Sequence, residues 1–241
     1  APEDLTKSLG TKKRELAVYQ QADVVIAVTR EDADVVLGEK PTIRFEIVPN
    51  IHPIDESFGQ SKNKNDLIFI GNFKHQPNGD AVRYFCEEIF PLVRQQRPRM
   101  RLQVIGSGAS KELERLGSDS VKFLGFVPSV TPYLRQSYIS IAPLRYGAGM
   151  KGKIGEAMAH GLPVVTTSIG IQGLDLKHGE NIMLGDTPGE FADSILELAT
   201  DEQLYAKISE NGMDYIKARF TPETIREEIF RILENIKSKP V

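Results

Sequence analysis

From residue 66 onward, short apolar runs alternate with amphipathic segments. The runs cover 67–70, 102–105, 121–124, 138–142, 163–167 and 181–184, and the segments between them include 80–96, 110–116 and 151–160. Continuous apolar runs of this length suit strands buried on both faces, and helical spacing between them suits crossover helices. The pattern predicts an α/β fold: a Rossmann-like parallel sheet with helices on both faces. Ligands of such sheets sit at the carboxyl ends of the strands, where the strand order reverses. That directs attention to the loops 71–79, 106–109, 125–129 and 143–152, each of which follows a strand and carries glycine.

Further along, Thr187, Pro188 and Glu190 read as an N-cap, a first-turn proline and a capping glutamate, and Asp201 and Thr221-Pro222 start two more helices. The last of these, to about residue 237, places Ile225, Ile229, Ile232, Leu233 and Ile236 at helical spacing, so one face must pack. Before residue 62 the pattern gives a helix near 12–21, a strand at 24–28, a helix at about 30–37 and a strand at 43–48. Two strands are too few for a self-sufficient sheet, so this segment reads as the tail of a further lobe, with the polar stretch 61–65 as a linker. The expected organisation is 1–60 as that remnant, 61–220 as the Rossmann-like lobe and 221–241 as a C-terminal helix packing back towards the first segment.

The chain has 241 residues, a net charge of -3 and one cysteine, Cys86, inside an apolar helical pattern. There is no global basic field, and no local basic patch stands out, so nucleic acid is not expected as a partner. Cys86 reads as a buried structural thiol, and the lack of a second cysteine fits a reducing, cytoplasmic setting. The longest apolar run, Val24–Val28, is too short to cross a bilayer, and a soluble chain is expected. The start at Ala1 without methionine reads as an excised or processed piece.

The chemistry concentrates in residues 145–167, a glycine-rich turn that opens a short helix and runs into an apolar strand. Backbone amides at a helix start favour a diphosphate, since their N–H groups lack helical acceptors and the dipole adds partial positive charge. Lys151 and Lys153 add full charges, and Glu156, three residues after Lys153, shares its face and can accept from both hydroxyls of a ribose. Gly147, Gly149 and Gly152 also spell the spacing of a dinucleotide fingerprint. That fingerprint belongs in a first βαβ unit with an acid about 20 residues on, whereas here it follows roughly the fourth strand and the next strand ends at Thr166, Thr167 and Ser168. A nicotinamide or flavin site and a purely structural turn remain the rivals.

An ordered set of motifs extends the picture: Val48-Pro49-Asn50, Ile68-Phe69-Ile70-Gly71-Asn72, Val104-Ile105-Gly106-Ser107-Gly108, Leu124-Gly125-Phe126-Val127, and the run from Lys153 to Thr166. Over roughly residues 12–237 the chain resembles the family 4 (group 1) retaining glycosyltransferases of the GT-B fold, in their carboxyl-terminal, donor-binding lobe. The resemblance implies a nucleoside diphosphate sugar as donor, UDP-linked, and a saccharide or lipid-linked acceptor bound through a missing amino-terminal lobe. It implies no cofactor beyond the donor substrate and no metal; peripheral attachment at the inner membrane face is left to the missing lobe.

Residue by residue, the resemblance makes Glu156 the ribose ligand, while the family's other motif glutamate falls on Ala148. The family's cationic pair falls on Asn72 and Asn78. Lys153, and then Arg145, are expected to supply the missing charge as the leaving diphosphate departs. Gly71, Asn72, Asn78, Gly106, Gly108, Gly149, Met150 and Lys151 are expected around the donor, with Val127 in the loop whose backbone reads the base, and residues 167–170 as the pocket floor. Each assignment has a structural rival: Lys153 and Glu156 as solvated helix residues, Arg145 as a loop arginine, His75 as a surface histidine, His160 as a helix-end residue. Asp32 and Asp34 form a D-x-D in a helical pattern and are read as structural. A nucleotide-sugar epimerase of the same architecture, or a non-catalytic binding or assembly module, are the alternative functions.

Overall fold

The computed structural model describes residues 2–55, 63–147 and 149–237, with residues 2–9 and 237 described by their backbone alone. In chain order the elements are α1 (Pro2–Tyr19), β1 (Val25–Ala27), α2 (Arg30–Leu37), β2 (Phe45–Ile47), β3 (Asp66–Ile70), α3 (Gln76–Tyr84), a π-helical turn (Phe85–Ile89) and α4 (Phe90–Gln96). There follow β4 (Arg101–Ile105), α5 (Lys111–Glu114), β5 (Val121–Gly125), α6 (Thr131–Gln136), β6 (Ile139–Ala142), α7 (Gly152–Ala159), β7 (Val164–Thr166) and β8 (Met183–Leu184). Three helices close the chain: α8 (Pro188–Thr200), α9 (Glu202–Arg219) and α10 (Pro222–Lys237).

The chain forms two compact units. The smaller comprises Ala1–Ile51 with Pro222–Val241, and its strands β1 and β2 pair in parallel, Val25 beside Phe45 and Ala27 beside Ile47. The larger, His52–Thr221, holds a six-stranded, all-parallel sheet in the order β5-β4-β3-β6-β7-β8. His52–Asp55, expected from the sequence to lie with the first segment, belong to this larger unit: Asp55 N–H donates to the Ala159 carbonyl at 3.0 Å, and Arg135 grips its carboxylate at 2.7 and 2.8 Å. Of the predicted linker, residues 61 and 62 lie outside the described residues, and Asn63 starts a turn whose carbonyl accepts from Asp66 N–H at 2.9 Å.

Both faces of the large sheet are covered, which is why its strands read as unbroken apolar runs. β3 sends Leu67 and Phe69 into one core, with Val82, Phe85, Phe191 and Ile195, and Ile68 into another, with Ile154, Met158, Leu162 and Ile216. Each such side chain, fully removed from water, contributes about 1.5–3 kcal/mol. The helix starts follow side-chain capping: Thr29 accepts from Asp32 N–H at 3.1 Å, Ser110 from Leu113 N–H at 3.1 Å, and Asp201 from Gln203 and Leu204 N–H at 2.9 Å each. Thr187 and Glu190 complete a reciprocal capping box, with N–H···O distances of 3.3 and 3.0 Å.

Besides the first helix, which runs over Pro2–Tyr19 instead of starting near residue 12, two elements differ from the sequence-based expectation. The helix expected from residue 80 begins at Gln76 and passes through a π turn before Pro91. Proline has no N–H to donate and its ring crowds the preceding turn, so the backbone widens there and helix resumes beyond it. The short α6 has no counterpart in the apolar pattern, because only Tyr133 and Leu134 of its six residues are large and apolar and no period can be read from two positions. Among the described residues, no helix is long and apolar enough to cross a membrane.

Candidate functional site

The strand order places the chain reversal between β3 and β6: successive strands run outward one way from β3 to β5, then the other way from β6 to β8. At that point the loops leaving β3 and β6 diverge and open a crevice, the position where parallel sheets take ligands. Both loops bear the residues that the motifs single out. Gly71 ends β3 with so little room that a Cβ there would lie 2.8 Å from Asn78 Cγ. Gly106, at the end of β4, has φ +148° and a Cβ would fall 1.7 Å from the Gly71 carbonyl oxygen, so no other residue fits.

The two asparagines are linked. Asn72 Oδ1 accepts from Lys74 N–H at 3.0 Å, the Asn72 carbonyl accepts from Asn78 Nδ2 at 2.7 Å, and Asn78 Oδ1 accepts from the Lys153 ammonium. The Lys153 ammonium also stands 4.3 Å over the Phe69 ring. It therefore reaches from the first turn of α7 across to the β3 loop and lies in the crevice. Burial, aided by neighbouring Lys151, lowers its pKa to about 7. Among the described residues no carboxylate lies within ion-pairing distance of it. A desolvated ammonium held only by a neutral amide and a ring face is poised for an anion.

Lys151 is buried and points elsewhere: its ammonium donates to the carbonyls of Gly147 and Gly149 at 3.0 and 2.5 Å, cross-bracing the loop. It raises the local potential but is committed within the fold. Glu156 follows Lys153 by one turn on the same face of α7, and burial pushes its carboxyl pKa up, an effect that His160 partly offsets. Its carboxylate has no hydrogen bond or ion pair among the described residues. Below it His160 Nδ1 sits 2.8 Å from the Glu156 carbonyl, and Nε2 lies 3.9 Å from Asp55, so the histidine is built into the helix end.

Arg145 is turned away from Lys153. Its guanidinium grips Asp80 on α3 at 2.9 and 2.5 Å, approaches Glu88 at 4.0 Å and stacks on the Tyr84 ring at 4.6 Å. The positive charge is compensated where it stands, and it fixes the loop after β6 to α3. Ala148 lies outside the described residues. Gly108 and Gly149 adopt φ of +82° and +74° in the loops after β4 and β6, while Met150 and Val127 pack against the core that contains Ile154. At the floor, Thr167 donates to the Leu144 carbonyl at 2.5 Å and Ser168 to Asp186 at 2.9 Å, so both hydroxyls are engaged.

Other candidates resolve structurally. His75 is exposed at the start of α3 without a capping bond. Asp32 accepts from the Thr29 hydroxyl at 2.7 Å inside the α2 cap, and burial raises the Cys86 thiol to about 12. Among the described residues no group of three or more His, Cys, Asp or Glu is arranged to hold a metal. One neighbour of the site is not singled out by any sequence motif: His52 is buried, and its Nε2 occupies the space a Cβ on Gly155 would need, at 2.4 Å. Its only sequence signal is that glycine inside a helical pattern, which marks close approach.

Comparison with known proteins bears on the family and the fold. A family model described as glycosyl transferases group 1 matches residues 64–201, more than half of the chain. An uncharacterized 44.6 kDa protein in the cps region of Klebsiella pneumoniae is 25% identical over 193 residues, covering 76% of this chain and 50% of that protein. N-acetyl-alpha-D-glucosaminyl L-malate synthase of Bacillus anthracis is 27% identical over 235 residues, covering 86% of this chain and 58% of that protein. The chain thus spans about half the length of the curated relatives it matches. Among solved structures, the pneumococcal O-GlcNAc transferase GtfA in complex with UDP and GlcNAc superposes with a TM-score of 0.77 at 15% identity, covering 94% of this chain and 47% of that one.

Proposed function

The chain belongs to the glycosyl transferases group 1 family, and we propose that it is the donor-binding lobe of a family 4, retaining transferase that moves a sugar from a UDP-linked donor to a saccharide or lipid-linked acceptor. The segment before His52 then belongs to the acceptor lobe, most of which lies beyond this chain. The observation that carries the reading is the Lys153 ammonium, desolvated at the strand-order reversal and held by Asn78 with no carboxylate beside it among the described residues. The similarity to a structure solved with UDP supports the choice of nucleotide.

In this reading the diphosphate lies against the first amides of α7, with Lys153 beside it; Glu156 accepts from the two ribose hydroxyls, and the loop at Val127 receives the base. Gly71 and Gly106 let the loops after β3 and β4 close on each other beside the ligand. As the sugar–phosphate bond breaks, negative charge grows on the leaving phosphate oxygen, where Lys153 and the helix amides stabilise it. The acceptor hydroxyl attacks the face that the diphosphate leaves. Neither a side-chain nucleophile nor a metal takes part. Asn72 and Asn78 hold Lys153 in place instead of contacting phosphate as cations, and Arg145 acts by fixing its loop.

The test is a thermal-shift panel of UDP, GDP, ADP and NAD, since a ligand bound only by the folded state raises its melting temperature. UDP is expected to give the largest shift, with little or no sugar transfer to an added acceptor by this chain alone. A shift with NAD and none with UDP refutes the assignment.

A further inference from the structure

Net charge and composition point to no basic patch, yet residues 94–101 contain four arginines, Arg94, Arg97, Arg99 and Arg101, and no acid. The fold gathers three of them, Arg94, Arg99 and Arg101, around a concavity of about 390 Å³ at the amino ends of the parallel strands. β3 and β4 begin there, at Asp66 and Arg101, so the concavity and the crevice beside α7 lie at opposite ends of the sheet.

What distinguishes these arginines is how their donors are used. The Arg94 guanidinium donates to the Pro98 carbonyl from Nε and Nη2, at 3.3 and 3.1 Å, and to Ser120 Oγ from Nη1 at 2.8 Å. Arg97 donates to the Ala199 carbonyl at 3.0 Å. These partners are neutral, so two cations are fixed in orientation while, among the described residues, no carboxylate pairs with them. Arg99 is exposed and has no hydrogen bond or ion pair among the described residues. Arg101 is the exception, neutralised by Asp66 at 2.8 Å, and among the described residues Asp119 is the one acid lining the concavity. The uncompensated guanidiniums of Arg94 and Arg99 in the same lining outweigh it.

An exposed arginine ordinarily spends rotamer freedom when it binds; Arg94 has already been ordered by folding. Guanidinium forks match the oxygens of a phosphate group with paired N–H···O bonds. We propose that this concavity is an anion site for a phosphate group, remote from the donor crevice, with Arg94 as its fixed wall and Arg99 as the mobile arm that closes on the ligand. The phosphate belongs either to a free phosphate compound or to a lipid headgroup.

The chain, ¹⁵N-labelled and held with excess UDP, is titrated with inorganic pyrophosphate at low salt and followed by amide chemical shifts. Saturable shifts are expected in residues 94–101 and 118–121. Arg99→Glu should weaken them by at least about tenfold, the loss of one charge-assisted contact, and Arg99→Lys should restore part of the affinity. Absence of shifts there, or shifts untouched by Arg99→Glu, overturns the site. Because the readout is residue by residue, a failure of UDP to perturb α7 counts against the donor reading alone. Sedimentation with phosphatidylcholine vesicles containing phosphatidylglycerol separates the sources: co-sedimentation that pyrophosphate displaces assigns a lipid headgroup, and pyrophosphate binding without it assigns a free phosphate. An RNA oligonucleotide that outcompetes pyrophosphate at this face by orders of magnitude overturns the small-anion assignment.

Discussion

Replacing Lys153 by methionine should make the free chain more stable and deprive it of its nucleotide. An ordinary lysine titrates at 10.5 and this one at about 7. At about 1.4 kcal/mol per pH unit, keeping its ammonium charged costs the free protein roughly 4–5 kcal/mol below pH 7. Methionine keeps the unbranched stem over Phe69 and removes the charge, and relaxation around the site returns only part of that cost, so a gain of about 1–4 kcal/mol is expected. For a chain of this size that raises the melting temperature by at least about 2–4 °C.

The pH dependence fixes the sign. The folded pKa lies below the unfolded one, so between about 7 and 10.5 the unfolded state binds the extra proton and wild-type stability rises with pH. The advantage of Lys153→Met should therefore be full near pH 6, shrink across that window and vanish above it. With UDP, the wild type should take up close to one proton per nucleotide at pH 8.5, read by calorimetry in two buffers of different ionisation enthalpy. The variant should bind UDP at least tenfold more weakly, with no uptake. A variant less stable than wild type at pH 6, or one that binds UDP as before, refutes the reasoning.

Glu156→Gln should leave the melting temperature within about 1–2 °C and weaken UDP by roughly tenfold, because a neutral amide replaces a charged acceptor. The wild type should prefer UDP over 2′-deoxy-UDP, and the variant should lose that preference; equal binding of both by the wild type argues against ribose contact. Gly106→Ala should destabilise the fold by more than about 3 kcal/mol, since its Cβ would meet the Gly71 carbonyl at 1.7 Å; a chemical denaturation midpoint close to that of the wild type contradicts this close approach of the two loops.

Alternation of apolar runs and amphipathic segments makes the sheet legible, because a strand buried on both faces, as β3 is through Leu67, Ile68 and Phe69, leaves an unbroken apolar signature. Capping residues such as Thr187 and Glu190 mark helix starts for a related reason: their function is local. The site is legible in its residue types and partly in its geometry. Lys153 and Glu156 can be placed on one helix face from spacing alone. The orientation of Arg145 cannot, since its partner Asp80 lies 65 positions away on another helix and nothing local selects it. Asn72 and Asn78 read as lost charges, whereas the Asn72 main-chain carbonyl and the Asn78 amide form the bracket that points Lys153 into the crevice. The arginines of 94–101 are hidden because net charge averages them away, and only the fold shows that the partners of Arg94 and Arg97 are carbonyls and a hydroxyl.

Lys151 gathers the carbonyls of Gly147 and Gly149 onto its ammonium. In a flexible glycine turn those oxygens would otherwise swing outward and repel any arriving anion. With their negative ends already quenched from inside, Gly147 and Gly149 surrender their ordering entropy during folding, before any ligand arrives.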